Sequence, residues 1–240
     1  MAIIRPLPRV LTILLALGLA MPIMHAVAAT AAEQARAAQL RHGVALLLQQ
    51  GQRQAAIDQV FDPLIKEYTR QYAGHDERVY CPRTEQEGLQ YLSDAVSEAR
   101  GHGVILTDLP TWVYAYYYKG YALIDLGRMN EARRAFNQAL ALAPRNAQLL
   151  AELSATYQKE DPARMLMIAR QAADASRFSP SDLRDNELGR ALRSQGYALI
   201  EMARWNEAEQ AYRQALKLDP NDQYARAELD YVLSHRTASP

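Results

Sequence analysis

At 240 residues and 49% hydrophobic content the chain can bury a sizeable core in one or two domains. Its 27 basic and 27 acidic side chains cancel, so the basic excess that marks a nucleic-acid-binding surface is absent. With a single cysteine, no internal disulfide can form.

The N-terminus reads as an export signal spanning residues 1–29. Arg5 and Arg9 make a positive n-region, residues 10–20 an apolar h-region, and Ala26-Val27-Ala28 or Val27-Ala28-Ala29 a small-residue cleavage site. Cleavage near Ala29 or Thr30 predicts a periplasmic or secreted protein with no further membrane segment. The competing reading is an uncleaved anchor, but the apolar run is shorter than the roughly 20 residues a spanning helix needs. No cysteine stands near the cleavage site to carry a lipid. Removing Arg5 and Arg9 takes 27 basic groups to 25, still close to the 27 acidic ones.

Residues 30–110 form an N-terminal helical region. Ala- and Leu-rich residues 31–50 are broken by Gly51, and residues 54–72 resume with Ile57, Val60, Phe61, Leu64, Ile65 and Tyr68 spaced for one helix face. Ala56 followed by Val60 hints at a degenerate first repeat, and Pro63 is expected to kink or end the run. Residues 72–83, with Gly74, Asp76 and Pro82, read as a loop that carries Cys81, for which burial is the expectation. Thr84 and Glu87 have the spacing of a capping box. Leu89, Leu92, Ala95, Val96 and Ala99 would be the apolar face of the helix that follows, up to Gly101-His102-Gly103. Val104-Ile105-Leu106 is a short apolar segment before the start signals Asp108, Pro110 and Thr111.

From there the chain repeats itself. Residues 120–146 return as 196–222, with 15 of 27 positions identical and no gap. Each copy has two amphipathic runs, a short break at 126–128 or 202–204, and a closing proline, Pro144 or Pro220. Small residues fall where helices must approach: Gly120, Ala132 and Ala139 in one copy, Gly196, Ala208 and Ala215 in the other, with Phe136 and Tyr212 between the alanines. This pattern resembles the tetratricopeptide repeat, a helix-turn-helix of about 34 residues. Lys119 and Gln195 stand where that family usually has leucine, and Tyr116 and Leu192 where it often has tryptophan.

The resemblance implies an all-α fold: a helical-hairpin solenoid over residues 111–240 with an N-terminal helical extension. Repeats are expected at 113–146, 147–180 and 189–222, and a C-terminal capping helix at 223–235 with Ala225, Leu229, Val232 and Leu233. The middle repeat is weaker. Leu150, Leu153, Ser154 and Tyr157 take core positions in its first helix and Ile168, Ala172 and Ala175 in its second, with a long turn around residues 159–162. The strong copies lie 76 residues apart (196 minus 120), more than two periods, so further excess is expected around residues 179–186.

The resemblance also implies a concave groove lined by the first helix of each pair. The groove positions hold Tyr114, Tyr117, Tyr121, Ile124 and Asp125 in the first strong repeat, Gln148, Ala151 and Ala155 in the middle one, and Arg190, Arg193, Tyr197, Ile200 and Glu201 in the last. Tyr114, Tyr117 and Tyr121, at i, i+3 and i+7, share one face. Core packing competes for these rings within the run 112–118, and local pairing with Asp185 and Glu187 competes for the two arginines. The implied function is a scaffold that binds a protein or peptide partner in the cell envelope through Tyr114, Tyr117, Tyr121, Asp125, Gln148, Arg190, Arg193 and Tyr197. Tyrosine and arginine suit that task because they join large contact area to directional hydrogen bonds. No catalytic residues, cofactor or metal are expected, since His42, His75 and His102 are isolated and no phosphate loop or nucleophile elbow occurs. Two alternatives stay open: an envelope enzyme using residues 72–84 and a self-assembling envelope component, that is, a homo-oligomer.

Overall fold

The computed structural model describes residues 10–13, 30–97 and 103–236. The expected cleavage site, Ala99 and the break at 101–102 lie outside them. The fold is all-α with one small sheet, and the chain divides into two compact units, Met1–Arg128 with Ala141–Ala143 and Met129–Leu140 with Pro144–Pro240.

In the first unit, α1 (Ala31–Leu48) starts at Thr30, whose hydroxyl accepts the Glu33 N–H at 3.2 Å. Gly51, at φ +66°, supplies the left-handed turn into a second helical run. That run comprises α2 (Arg53–Ala56), a π-helical turn (Ile57–Phe61) and α3 (Asp62–Gln71). Pro63 does not end it. Proline lacks an N–H and crowds the carbonyl four residues earlier. The wider turn absorbs this just before it, with the Asp62 N–H donating to the Ile57 carbonyl instead of to residue 58. α1 packs against this run through Gly43, where a Cβ would stand 2.7 Å from both the Phe61 ring and a Val60 methyl. Leu46, Leu47, Val60, Phe61, Leu64 and Tyr68 are buried around that approach.

Residues 72–83 are not simply a loop, because they contain β2 (Arg78–Tyr80). The apolar segment after α4 (Glu85–Ser97) is β3 (Val104–Thr107), and β1 (Val10–Ile13) completes a sheet of order β1-β3-β2. β2 runs parallel and β1 antiparallel to β3. The expected apolar face of α4 is also corrected, for Leu89 and Val96 are 55% and 56% exposed. The helix turns Glu87, Gly88 and Tyr91 inward instead. The Glu87 carboxylate accepts the Arg83 N–H at 2.6 Å and the Tyr91 hydroxyl at 2.5 Å, which lets it be buried, while the Thr84 hydroxyl caps the Glu87 N–H at 3.1 Å. Tyr91 packs on Tyr80 with ring centroids 4.9 Å apart, and Gly88 lies flat against Pro82 and Leu106. α5 (Pro110–Asp125) closes this unit; its Trp112 is stacked between Tyr68 and Tyr72 at 5.5 and 5.3 Å.

The second unit takes most of α6 (Met129–Leu142), then α7 (Ala147–Ala155), α8 (Pro162–Ala175), a 3-10 turn (Ser176–Phe178), α9 (Arg184–Glu201), α10 (Trp205–Leu218) and α11 (Gln223–Arg236). From α7 onward each helix packs on its successor. Between α7 and α8 lie residues 156–161, and the 3-10 turn Ser176–Phe178 directly follows α8, ahead of the 179–186 stretch where excess was expected. Leu150, Leu153, Ser154, Tyr157, Ile168, Ala172 and Ala175 are all buried, as are Ala225, Leu229 and Val232 of the last helix. The residue that ends each strong copy caps the next helix: Asn146 accepts the Leu149 N–H at 3.1 Å and Asp222 the Ala225 N–H at 2.9 Å.

Two matched positions in the copies show what the repeat demands. The inter-helix turn needs a left-handed residue, which is Gly127 (φ +70°) in one copy and Ala203 (φ +55°) in the other. The ring between the two alanines is Phe136 in one and Tyr212 in the other. Both are fully buried, and the Tyr212 hydroxyl has no hydrogen-bond partner among the described residues.

Ala203→Gly, which removes a Cβ from the left-handed region, is expected to raise unfolding free energy by about 1 kcal/mol in urea titration. Tyr212→Phe, which removes an unsatisfied buried hydroxyl and copies the other repeat, is expected to stabilise by about 1 kcal/mol. Burial raises the Tyr212 pKa in the folded state. That tyrosine therefore withdraws stability as pH climbs past the unfolded value of about 10, and the Tm advantage of Tyr212→Phe should widen there.

Candidate interaction site

On α5 the three tyrosines do form one stripe, with ring centroids of Tyr114 and Tyr117 6.0 Å apart and those of Tyr117 and Tyr121 6.2 Å apart. They are not equally available. Tyr117 is 7% exposed, against the expectation that it faces outward; it is covered by its helical neighbours at i−3, i+1 and i+4, with the Tyr118 ring 4.9 Å away edge-on. Tyr121, 37% exposed, and the half-buried Tyr114 are the rings the stripe offers. Burial raises the pKa of Tyr118, whose ring stacks on Phe61 at 6.2 Å. At the end of the helix Asp125 is already engaged, accepting from Arg53 Nε at 2.9 Å.

In the second unit, α9 presents Arg190, Arg193 and Tyr197. The arginines do not pair with Asp185 and Glu187 beside them in sequence. Arg190 reaches Glu152 of α7 at 2.7 Å, and Arg193 binds Asp222 at the start of α11. Glu187 is buried instead and accepts the Ser179 hydroxyl at 2.5 Å. Glu152, also buried, requires a cation, and Arg190 is placed to supply it. Gln148 and Tyr197 are half-buried. The α9 face is thus a row of charge pairs beside one tyrosine. An acidic ligand would have to exchange with a carboxylate already in place.

Residues 72–84 carry less chemistry than their polar composition suggested. Cys81 is buried, and its amide donates to the Leu142 carbonyl at 2.7 Å. Burial, reinforced by Asp108, pushes its thiol pKa up, which holds the thiol protonated. His75 stands 3.4 Å from Glu77 at the surface. Among the described residues no group of three His, Cys, Asp or Glu side chains could hold a metal ion, and no helix is long and apolar enough to cross a membrane.

Residues 113–146 and 189–222 match the family model of the tetratricopeptide repeat. The chain carries tetratricopeptide repeats. No curated protein matches it. Among solved structures, a MamA RS-1 ArsTM double mutant is similar at 18% identity and TM-score 0.52, covering 84% of this chain and 85% of that one. The first TPR of Spaghetti (RPAP3), bound to the HSP90 peptide SRMEEVD, is similar at 22% identity and TM-score 0.46, covering 53% of this chain and 94% of that one. The second TPR domain of human RPAP3, in complex with the HSP70 peptide SGPTIEEVD, is 23% identical with TM-score 0.41, covering 49% of this chain and 91% of that one.

The sequence reading found the α5 and α9 faces but missed the partners of the arginines, which are long-range.

Cys81 is expected to stay unreactive toward Ellman's reagent in the native protein at pH 8 and to react fully once the chain is unfolded in guanidinium. Fast native reaction would mean that the thiol is accessible and would reopen the enzyme reading of residues 72–84.

Proposed function

We propose that this chain is an exported protein-interaction module that holds a peptide segment of a partner in the cell envelope on the first-helix faces of its hairpins. Each unit is read by itself: Tyr114 and Tyr121 on α5 are the contacts proposed in the first, and Arg193 and Tyr197 on α9, with Gln148 and Arg190, those proposed in the second. The observation that carries this reading is the tyrosine stripe of α5: a repeat built for packing presents a 37% exposed ring, Tyr121, tilted against the buried ring of Tyr117. Held rings of this kind contribute contact area at low entropic cost. Export rests on the n-region arginines, apolar run and small-residue site of residues 1–29.

The test is affinity purification from cross-linked envelope extract, comparing the wild type with a Tyr114→Ala, Tyr121→Ala, Arg193→Gln variant of unchanged helicity. A partner captured by the wild type and reduced at least about tenfold in the variant, a loss of 1.4 kcal/mol or more, is the expected result. A partner retained in full would place binding elsewhere. N-terminal sequencing of the exported protein should begin near Thr30, and a retained Met1 would overturn the leader reading.

A further inference from the structure

The sheet of the first unit is built partly from a segment that export would remove. β1 (Val10–Ile13) falls inside residues 1–29, yet it is the antiparallel neighbour of β3, pairing Ile13 with Val104, Thr12 with Ile105 and Leu11 with Leu106. β2 lies on the other side of β3. Cleavage near Thr30 therefore takes away one strand and turns β3 from the central strand into an edge.

The groups on that edge follow from the pairing on the other side. The Gly103 carbonyl accepts the N–H of Arg78 in β2 at 3.0 Å. Backbone groups alternate in direction along a strand, so Ile105 also faces β2, while Val104 and Leu106 aim their N–H and C=O groups at the side β1 occupies. β3 has none of the guards of a lasting edge. Val104, Ile105 and Thr107 are buried, Leu106 is half-buried, and the strand holds no charge and no proline. An unguarded edge of this kind recruits another strand.

The strand that covers the edge shows what fits there. β1 and β3 each consist of one Val, one Leu, one Ile and one Thr. When two copies of β3 pair antiparallel, the register that matches outward groups over the greatest length sets Val104 opposite Leu106 of the second copy, with Ile105 on the two-fold axis. Leu106, Ile105 and Val104 of the second copy then take the places of Ile13, Thr12 and Leu11, an apolar or β-branched residue in every case.

We infer that the mature chain pairs with a second copy of itself through β3, and that the leader strand keeps the precursor single by covering this edge. The two sheets join into one of order β2-β3-β3-β2. A contact this short makes a weak dimer governed by concentration. The inference rests on the leader reading of residues 1–29 and places self-association outside the residues that match the repeat model.

The test sequences the N-terminus of the protein recovered from the envelope and follows its mass by sedimentation equilibrium from micromolar to near-millimolar concentration. A chain that starts near Thr30 should show a monomer–dimer equilibrium. Leu106→Pro, checked for unchanged helicity, deletes an outward N–H where an edge strand tolerates proline, and should weaken the dimer at least about tenfold. Excess of a peptide of residues 9–14 should return the unmodified protein to monomer, a measurement that needs no variant to fold. A chain that starts near Thr30 and stays monomeric overturns the pairing while the leader reading stands. If that monomer still binds the peptide, the edge belongs to a strand of another protein. A dimer indifferent to both the proline and the peptide also overturns the pairing, and a chain that starts at Met1 overturns the leader reading with it.

Discussion

A glycine on one helix pressed against an aromatic ring on the next is the contact on which both units depend. Gly43 meets Phe61 in the first, and Gly196 meets Tyr212 in the second, where a Cβ would come within 2.5 Å of the ring. Such approach distances leave no room for a methyl group, and packed interiors do not yield by that much without rearrangement. The alanines that flank the ring, Ala208 and Ala215, are fully buried for the same reason. The ring supplies the buried area and the small residues let it in. The helix pair is thereby held so closely that the first helix keeps a face the hairpin does not use. Where that face carries tyrosine or arginine it offers contact area and hydrogen-bond donors.

What was legible in the sequence was whatever depends on local spacing. The two strong copies and the helical class announce themselves through periods of three, four and seven residues, and the family model matches residues 113–146 and 189–222. The faces of α5 and α9 were legible for the same reason. What was hidden depends on distance along the chain. Glu152 and Asp222 lie 38 and 29 positions from the arginines they bind (190 minus 152, and 222 minus 193), so the nearer Asp185 and Glu187 looked like the natural partners. The sheet was hidden because β2 is three residues long and pairs across the whole of α4.

α4 shows a different way for a pattern to mislead. Its leucines and valine suggested an inward face, but the helix buries Glu87 and leaves Leu89 outside. A carboxylate can be buried when its oxygens are fully engaged, and Glu87 has the Arg83 amide and the Tyr91 hydroxyl to satisfy it. Periodicity ranks residues by transfer cost alone. Once a polar group finds its partners within one turn, that ranking reverses. Tyr117 is the converse case, an amphipathic ring that the family resemblance assigned to the groove and that its own neighbours cover.

The two candidate faces differ in how they could reward a ligand. On α9 both arginines already hold carboxylates, one of which, Glu152, is buried and has Arg190 as its cation. A ligand that took Arg190 would have to break its pair with Glu152, and that cost offsets much of the new ion pair. An acidic group is thus a poor match to this face. On α5 Tyr121 is 37% exposed and carries no charge, so a group laid against that ring breaks no ion pair.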